Sequence, residues 1–252
     1  MPSVKHVFAA LATTAFTSVN AAMGPAWSTG PVGSGSWIRE AYSTLILPAS
    51  PTGSTGDLSL WVGMGTSYGD LIQSIADNWS SSSSWEVFTY TLKKTGERTD
   101  DLPPDNSQTP IQGPSFAAKA GDKIGFHYKY DDSTANYKQI LSVNGVTVYT
   151  MSTEDGHAEG FGSAVECAET NCGTVPAHSE FSQTLSLWTL SSLADVVFFS
   201  GWSGTTIILN TADPNYAQTL GRSSGVTGGD LSTSDGGKTW TATKITIPKH
   251  TF

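Results

Sequence analysis

The sequence is short of charge, and the charge that it has is mostly negative. Charged residues make up 14% of the 252 residues, and 22 acidic side chains outnumber 13 Lys and Arg, which gives a net charge of -9. Nucleic acids and anionic membranes are bound through clustered cations, so we expect neither as a partner. No apolar run approaches the roughly 20 residues of a membrane-spanning helix.

Signatures of common hydrolases and nucleotide-binding proteins are also scarce. The sequence has no His-Glu-x-x-His motif and no phosphate-binding glycine loop. Zinc-protease and nucleotide chemistry therefore have no support, serine-hydrolase chemistry is not expected, and we expect no cofactor.

The N-terminus has the layout of a secretory signal. Lys5 precedes an apolar run over residues 7–16, and Val19 and Ala21 occupy the minus-three and minus-one positions of a cleavage site. This predicts a signal peptide over residues 1–21 and one domain over residues 22–252. The protein would enter the secretory pathway and be exported or kept in a secretory compartment.

Only two cysteines are present, Cys167 and Cys172. In an oxidising compartment, such a closely spaced pair predicts a local disulfide. The alternative is a metal site, for which two thiols supply half of the usual zinc ligands. Asn78 begins the one glycosylation sequon, Asn-Trp-Ser, which would place its loop at the surface if the site is used.

Glycine, proline and alternating patterns predict an all-β chain. The sequence has 26 Gly and 12 Pro, and apolar and polar residues alternate between turn residues. We expect an antiparallel two-sheet β-sandwich of jelly-roll, concanavalin-like type. Asn144-Gly145 is the strongest hairpin signal. Strands are predicted over residues 36–48, 58–64, 71–76, 85–92, 124–130, 139–143, 146–151, 181–190, 205–210 and 240–248.

Two segments do not fit this alternation. Residues 96–115 contain four prolines and are predicted to form a long loop over one face. Residues 193–202 are apolar without alternation. They are either a core strand or sequence retained by an imperfect gene model.

Several segments resemble the glutamic peptidases of fungi, the eqolisins. These are residues 60–73, which begin Leu-Trp-Val-Gly, residues 120–124 and residues 162–166. The resemblance implies a shared fold, with Gln73 stabilising an oxyanion and Glu166 activating a water. The tryptophan that the family has beside its glutamate is replaced here by Cys167.

Other candidate site residues come from the strand patterns. His127 and Tyr128 are candidate proton donors, and alternation places them on opposite faces of one strand. His127 could instead be an ordinary cross-strand residue. Trp61, Trp85 and Tyr90 are candidates to line a cleft for small apolar or aromatic substrates. No metal site is expected, although Asp131, Asp132 and Asp155 are candidate calcium ligands.

The chain is also similar to the fungal hetero-Diels-Alderases of tropolone sesquiterpenoid biosynthesis. The similarity lies in residues 61–73, 155–158, 166–169 and 233–240. It implies dehydration of a hydroxymethyl tropolone to a quinone methide, followed by cycloaddition to a humulene-type olefin. A cycloaddition needs no nucleophile, and orientation in a dry pocket can supply about 7–11 kcal/mol.

Two other functions remain open. One is a polysaccharide-active lyase or a lectin that uses tryptophans as stacking platforms, and the other is the glutamic peptidase. An enclosed apolar site favours the cycloaddition, an open groove favours a polymer, and Gln73 and Glu166 around one water favour the peptidase.

Overall fold

A computed structural model describes residues 22–33, 35–95, 108–169, 171–180, 204–242 and 244–252. The predicted signal peptide, the predicted strand over residues 181–190 and the apolar run over residues 193–202 lie outside the described residues. Within this part of the chain, no helix is long and apolar enough to cross a membrane.

The described residues form twenty strands and one short 3-10 helix at Tyr216–Thr219. The strands are β1 Ala22–Thr29, β2 Ile38–Ile46, β3 Asp57–Thr66, β4 Leu71–Trp79, β5 Trp85–Lys94, β6 Gln108–Gln112, β7 Phe116–Ala118, β8 Lys123–Asp131, β9 Asn136–Val143, β10 Val146–Thr153, β11 Ala158–Cys167, β12 Thr174–Val175, β13 His178–Glu180, β14 Thr205–Leu209, β15 Gly221–Arg222, β16 Thr227–Gly228, β17 Leu231–Ser232, β18 Thr239–Ala242, β19 Ile245–Ile247 and β20 His250–Thr251.

The long strands form two antiparallel layers, which confirms the predicted β-sandwich of jelly-roll type. The first sheet runs in the order β15-β1-β11-β3-β4-β5-β6, with β7 also paired to β5. The second sheet runs β10-β9-β8-β2-β14-β18-β17. Strand β13 pairs with the end of β2 and with β19, and β12 pairs with β20.

The core lies between the two sheets, and strand alternation decides which residues enter it. On β3, Leu58, Leu60, Val62 and Met64 are all buried, and they alternate with residues of the opposite face. Each such apolar side chain contributes about 1.5–3 kcal/mol when it leaves water. The alternation therefore divides the first sheet into a core face and an outer face.

The predicted hairpin is confirmed. Strands β9 and β10 pair through Val143 and Val146, and the two turn residues Asn144 and Gly145 have φ angles of 51° and 82°. Two successive positive φ angles are typical of a type I′ turn, in which Asn-Gly is the favoured pair.

The predicted loop over residues 96–115 is wrong in its second half. Gln108–Gln112 forms β6, which pairs with β5 from Lys94↔Gln108 to Tyr90↔Gln112. Pro110 lies within this strand, opposite Leu92. Among the described strands β6 pairs only with β5, and an edge strand tolerates a residue that has no N–H to donate.

The predicted disulfide is confirmed. Cys167 at the end of β11 is bonded to Cys172, with an S–S distance of 2.01 Å. The loop that it closes packs on the start of β3, because Ala168 and Glu169 both donate their backbone N–H groups to the carbonyl of Asp57.

Candidate active site

Four predicted site residues share the outer face of the first sheet. Gln73 on β4 lies opposite Tyr90 on β5 and opposite Gly63 on β3. Trp61 lies two residues before Gly63, and Glu166 on β11 lies opposite Ser59, two residues before Trp61. Directly paired residues project from the same face of a sheet, so these side chains occupy one surface.

Glu166 is held in place by Trp61. The indole Nε1 donates a hydrogen bond of 3.0 Å to Oε2 of Glu166. Burial raises the pKa of Glu166, the Trp61 bond opposes this rise, and the charge of Asp57 adds to it. Since the raised pKa keeps the carboxyl protonated at higher pH than usual, Glu166 can serve as a proton donor in mild acid.

Two further carboxyl groups on this surface, Asp57 and Asp77, have raised pKa values and were not identified from the sequence; the exposed Glu86 lies opposite Asp77. Ser59 donates a hydrogen bond of 2.5 Å from its hydroxyl to Oδ1 of Asp77. Burial, with the nearby charge of Asp57, raises the pKa of Asp77 to about 8, and burial with the charges of Glu169 and Glu86 raises that of Asp57 to about 6.

A sequence signal for Asp77 existed. It follows Gln73 by four residues, so alternation places both on one face. The strand was predicted to end at residue 76, and the structure extends it to Trp79.

Aromatic rings cover the part of this surface beside Gln73. The rings of Phe88 and Tyr90 meet at 6.2 Å with an interplanar angle of 64°. Ile75 lies between Trp61 and Phe88 in the pairing register, and its side chain is buried. Burial, together with the charges of Asp77 and Glu166, raises the pKa of Tyr90. The carboxyl groups therefore border an apolar, aromatic surface.

The register separates Gln73 from Glu166. Two strand spacings of about 4.8 Å and four residues of about 3.3 Å put their Cα atoms roughly 16 Å apart. One water with two hydrogen bonds spans only about 5.6 Å, and strand side chains stand nearly perpendicular to the sheet. The positions on β11 that face Gln73 more closely are Gly162 and Ala164, which carry no acid.

Tyr128 lies in the core and not on this surface. It is fully buried, and its hydroxyl donates to the Val62 carbonyl and accepts a 2.8 Å hydrogen bond from the Ser74 backbone N–H. Its ring thus crosses from the second sheet to the first, where the hydroxyl joins β3 to β4. This position does not suit a proton donor to a substrate on the outer face.

His127 lies on the outer face of the second sheet, on the opposite side of the sandwich. Its Nε2 is 2.7 Å from Oε1 of Glu40, and its ring meets that of Tyr42 edge-on at 5.8 Å. Its hydrogen bond lowers the pKa of Glu40. The expected alternation of His127 with Tyr128 is confirmed, but it removes both residues from the surface that carries Gln73.

Trp85 is a core residue. It is fully buried, and its Nε1 donates a 3.2 Å hydrogen bond to the Pro48 carbonyl. Alternation along β5 turns Trp85 inward and Tyr90 outward. The two residues therefore cannot line the same cleft.

The side chain of Asn78 is fully buried. Its Nδ2 donates hydrogen bonds of 2.9 Å and 3.1 Å to the carbonyls of Ser82 and Ser84. A glycan on Nδ2 requires these contacts to open. Glycosylation of Asn78 stays a prediction.

The three candidate calcium ligands do not come together. Asp131 pairs with Lys138, Asp132 with Arg39, and Asp155 is buried beside Lys93. Within the described ranges, no group of three or more His, Cys, Asp or Glu side chains is arranged to hold a metal.

A Gly-x-Ser-x-Gly spacing does occur, at residues 221–225, although serine-hydrolase chemistry is not expected. Ser223 follows the two-residue strand β15, and its Oγ accepts a 3.0 Å hydrogen bond from the Ala26 N–H. The serine of a nucleophile elbow stands between a strand and a helix. Here the chain continues into β16, so the spacing does not mark such an elbow.

The raised pKa values of Asp57 and Asp77 predict a pH-dependent stability. A carboxyl whose pKa is higher in the folded state binds protons on folding, so these two groups lower the free energy of unfolding as pH rises from about 4 to about 8. His178, whose pKa burial lowers to about 4, opposes them in the acidic part of this range, and the two carboxyl groups outweigh it. We expect the melting temperature to be higher at the acidic end, and Asp77→Asn to flatten the dependence. Asp132→Asn, at an exposed position, is the control. A melting temperature that rises across this range in the wild-type protein contradicts the account.

No protein-family model matches the sequence, and no curated protein matches it. Solved structures do resemble it in fold. Scytalido-glutamic peptidase is 12% identical, with a TM-score of 0.43 over 90% of this chain and 99% of that chain. SCP-B, an eqolisin, is 14% identical, with a TM-score of 0.38 over the same shares.

A more distant similarity is to the endo-1,3-beta-glucanase of Streptomyces sioyaensis. It is 12% identical, with a TM-score of 0.32 over 55% of each chain. These similarities concern the fold and not the activity.

Proposed function

We propose that the protein is an enzyme of secondary metabolism that catalyses an intermolecular hetero-Diels-Alder cycloaddition between a tropolone quinone methide and a humulene-type sesquiterpene. The observation that carries this proposal is the position of Glu166, a carboxyl with a raised pKa that accepts a hydrogen bond from Trp61 on the face that also carries Tyr90. The surface supplies the two things that the reaction needs, namely a proton donor and an apolar place for two apolar partners.

The first step is an acid-assisted dehydration. Protonated Glu166 gives its proton to the hydroxymethyl oxygen, the C–O bond breaks, and its electron pair leaves with water. The ring hydroxyl loses its proton, which returns the carboxyl to its acid form, and the electrons form the exocyclic double bond of the quinone methide. The step is balanced without an oxidant or a reductant.

The second step needs only orientation. The O=C–C=C unit of the quinone methide adds to one olefin of the terpene, and one C–C and one C–O bond form together. Trp61 and Tyr90, which are both partly exposed, supply flat apolar area against which both partners can lie. Holding the two partners in this geometry supplies the entropic part of the rate enhancement.

The test is adduct formation by the purified mature protein. A hydroxymethyl tropolone and humulene are incubated with it at mildly acidic pH, and the adduct is followed by mass spectrometry against a boiled control. We expect acceleration over the control and its loss when Trp61 and Tyr90 are both replaced by alanine. A rate equal to that of the boiled control in the presence of folded protein would falsify the proposal.

A second candidate is a glutamic peptidase, because Gln73, Glu166 and Trp61 do share one face. The separation of Gln73 from Glu166 weighs against one shared water. Digestion of an unfolded protein substrate at acidic pH tests this candidate. Cleavage that disappears in both Gln73→Ala and Glu166→Ala would favour the peptidase over the cycloaddition.

We also propose that residues 1–21 are a signal peptide and that residues 22–252 are one secreted or compartment-held domain. The disulfide is consistent with an oxidising compartment. Mass spectrometry of the protein from a eukaryotic host should give a mature N-terminus at Ala22. Retention of residues 1–21 contradicts the proposal.

A further inference from the structure

Small residues form a continuous row across four strands of the outer face. In the pairing register, Gly63 on β3 lies beside Gly162 on β11, Gly162 beside Ser28 on β1, and Ser28 beside Gly221 on β15. We call these four residues the glycine trough. The next outer-face position on β3 is Trp61. Its side chain borders the trough, whose surface consists mainly of backbone atoms.

Packing explains why position 63 of the trough has no side chain. A Cβ atom at Gly63 would lie 2.6 Å from the Ile72 carbonyl oxygen and 2.8 Å from Cβ of Gln73. Real Cβ atoms do not approach so closely, so any side chain here would displace Gln73. The side chain of Gln73 therefore stands directly against the end of the trough.

The side chain of Gln73, at the end of the trough, has a buried oxygen without a hydrogen bond within the described ranges. The side chain is 5% exposed, and this oxygen, Oε1, has no hydrogen-bond partner among the described residues. A buried carboxamide oxygen without a donor costs about 1–3 kcal/mol. A ligand in the trough would satisfy Oε1 of Gln73 if it brought an O–H or N–H group to that oxygen.

We propose that the glycine trough is the subsite for a flat ring whose hydroxyl donates a hydrogen bond to Oε1 of Gln73. Two strand spacings of about 4.8 Å match the width of one substituted ring, and a backbone floor lets the ring lie flat beside Trp61. The choice of a tropolone as this ring rests on the proposed function.

The test is calorimetric binding of tropolone at mildly acidic pH, where its hydroxyl is protonated. We expect Gln73→Leu to weaken binding about tenfold through loss of the acceptor. Gly162→Ala should also weaken it about tenfold. Its new methyl group fills the floor and lies 3.1 Å from the Trp27 carbonyl oxygen, which a small shift accommodates. Gln112→Leu, on the exposed edge strand β6, is the control and should bind as the wild type does.

A ligand without the donor completes the test. 2-Methoxytropone retains the ring and lacks the hydroxyl, so it should bind about tenfold more weakly to the wild type and equally to the wild type and Gln73→Leu. Gly221→Ala fills the other end of the trough and replaces Gly162→Ala if that variant melts early. Equal affinity of tropolone for the wild type and both trough variants overturns the inference, as does no binding to the wild type.

The result separates this inference from the proposed function. Tropolone binding that depends on Gln73, without any adduct formation, sinks the cycloaddition and leaves the subsite standing. If the protein forms the adduct and neither Gln73→Leu nor Gly162→Ala changes the rate, the cycloaddition stands and the subsite is excluded.

Discussion

Replacing Glu166 by glutamine is expected to slow adduct formation by about 10²- to 10⁴-fold, the usual contribution of a general acid. The amide oxygen of the new side chain can still accept the hydrogen bond from Trp61, so the local geometry is kept. What is lost is the acidic proton. The measurement is the initial rate of adduct formation at saturating substrate, compared with the wild-type protein.

The pH dependence of the wild-type rate has the same origin. In the proposed reaction protonated Glu166 is the active form, and burial raises its pKa, so we expect the rate to be retained to higher pH than for an ordinary glutamate and to fall as pH rises through that pKa. Glu159→Gln, at an exposed position on the same strand, is the matched control. A Glu166→Gln rate within twofold of the wild type would exclude Glu166 as the proton donor.

Replacing Tyr128 by phenylalanine is expected to destabilise the fold by about 2–4 kcal/mol and to leave the rate per folded molecule unchanged. The lost hydroxyl leaves the Ser74 N–H and the Val62 carbonyl buried without a partner, and each such group costs about 1–3 kcal/mol. For a domain of this size, the melting temperature should fall by roughly 5–15 °C. Thermal melts followed by circular dichroism measure it.

Tyr68→Phe is the control for this substitution, because Tyr68 is 58% exposed. Its melting temperature should stay within about 2 °C of the wild type. An unchanged melting temperature in Tyr128→Phe contradicts the interpretation that this hydroxyl joins the two sheets. A slower reaction of Tyr128→Phe at unchanged stability would indicate that Tyr128 is a proton donor in the reaction.

Alternation along single strands could be predicted from the sequence, and pairing between strands could not. Period-two patterns placed His127 and Tyr128 on opposite faces, and they separate Trp85 from Tyr90 in the same way. Which face is buried depends on the sheet that packs against it. No local pattern reports that, so two inward-facing aromatic residues were counted among the site candidates.

The pairing register of the strands explains why Gln73 and Glu166 lie farther apart than the family resemblance implies. Gln73 and Glu166 share a face as the family resemblance implied, yet their distance depends on how β3 pairs with β11 and β4. A shift of two residues on β11 would place an acid opposite Trp61, where Ala164 now lies. Asp77 was missed for a simpler reason, because the predicted strand ended at residue 76, directly before it, whereas β4 continues to Trp79.

The enantiomeric composition of the adduct tests the central claim most directly. Humulene is achiral and a free quinone methide can be attacked from either face, so the uncatalysed cycloaddition gives equal amounts of the two enantiomers. If the protein holds both partners on its aromatic surface, chiral chromatography should show one enantiomer in large excess, and Glu166→Gln should lower the yield while the excess remains. A racemic adduct formed in the presence of active, folded protein would contradict the account.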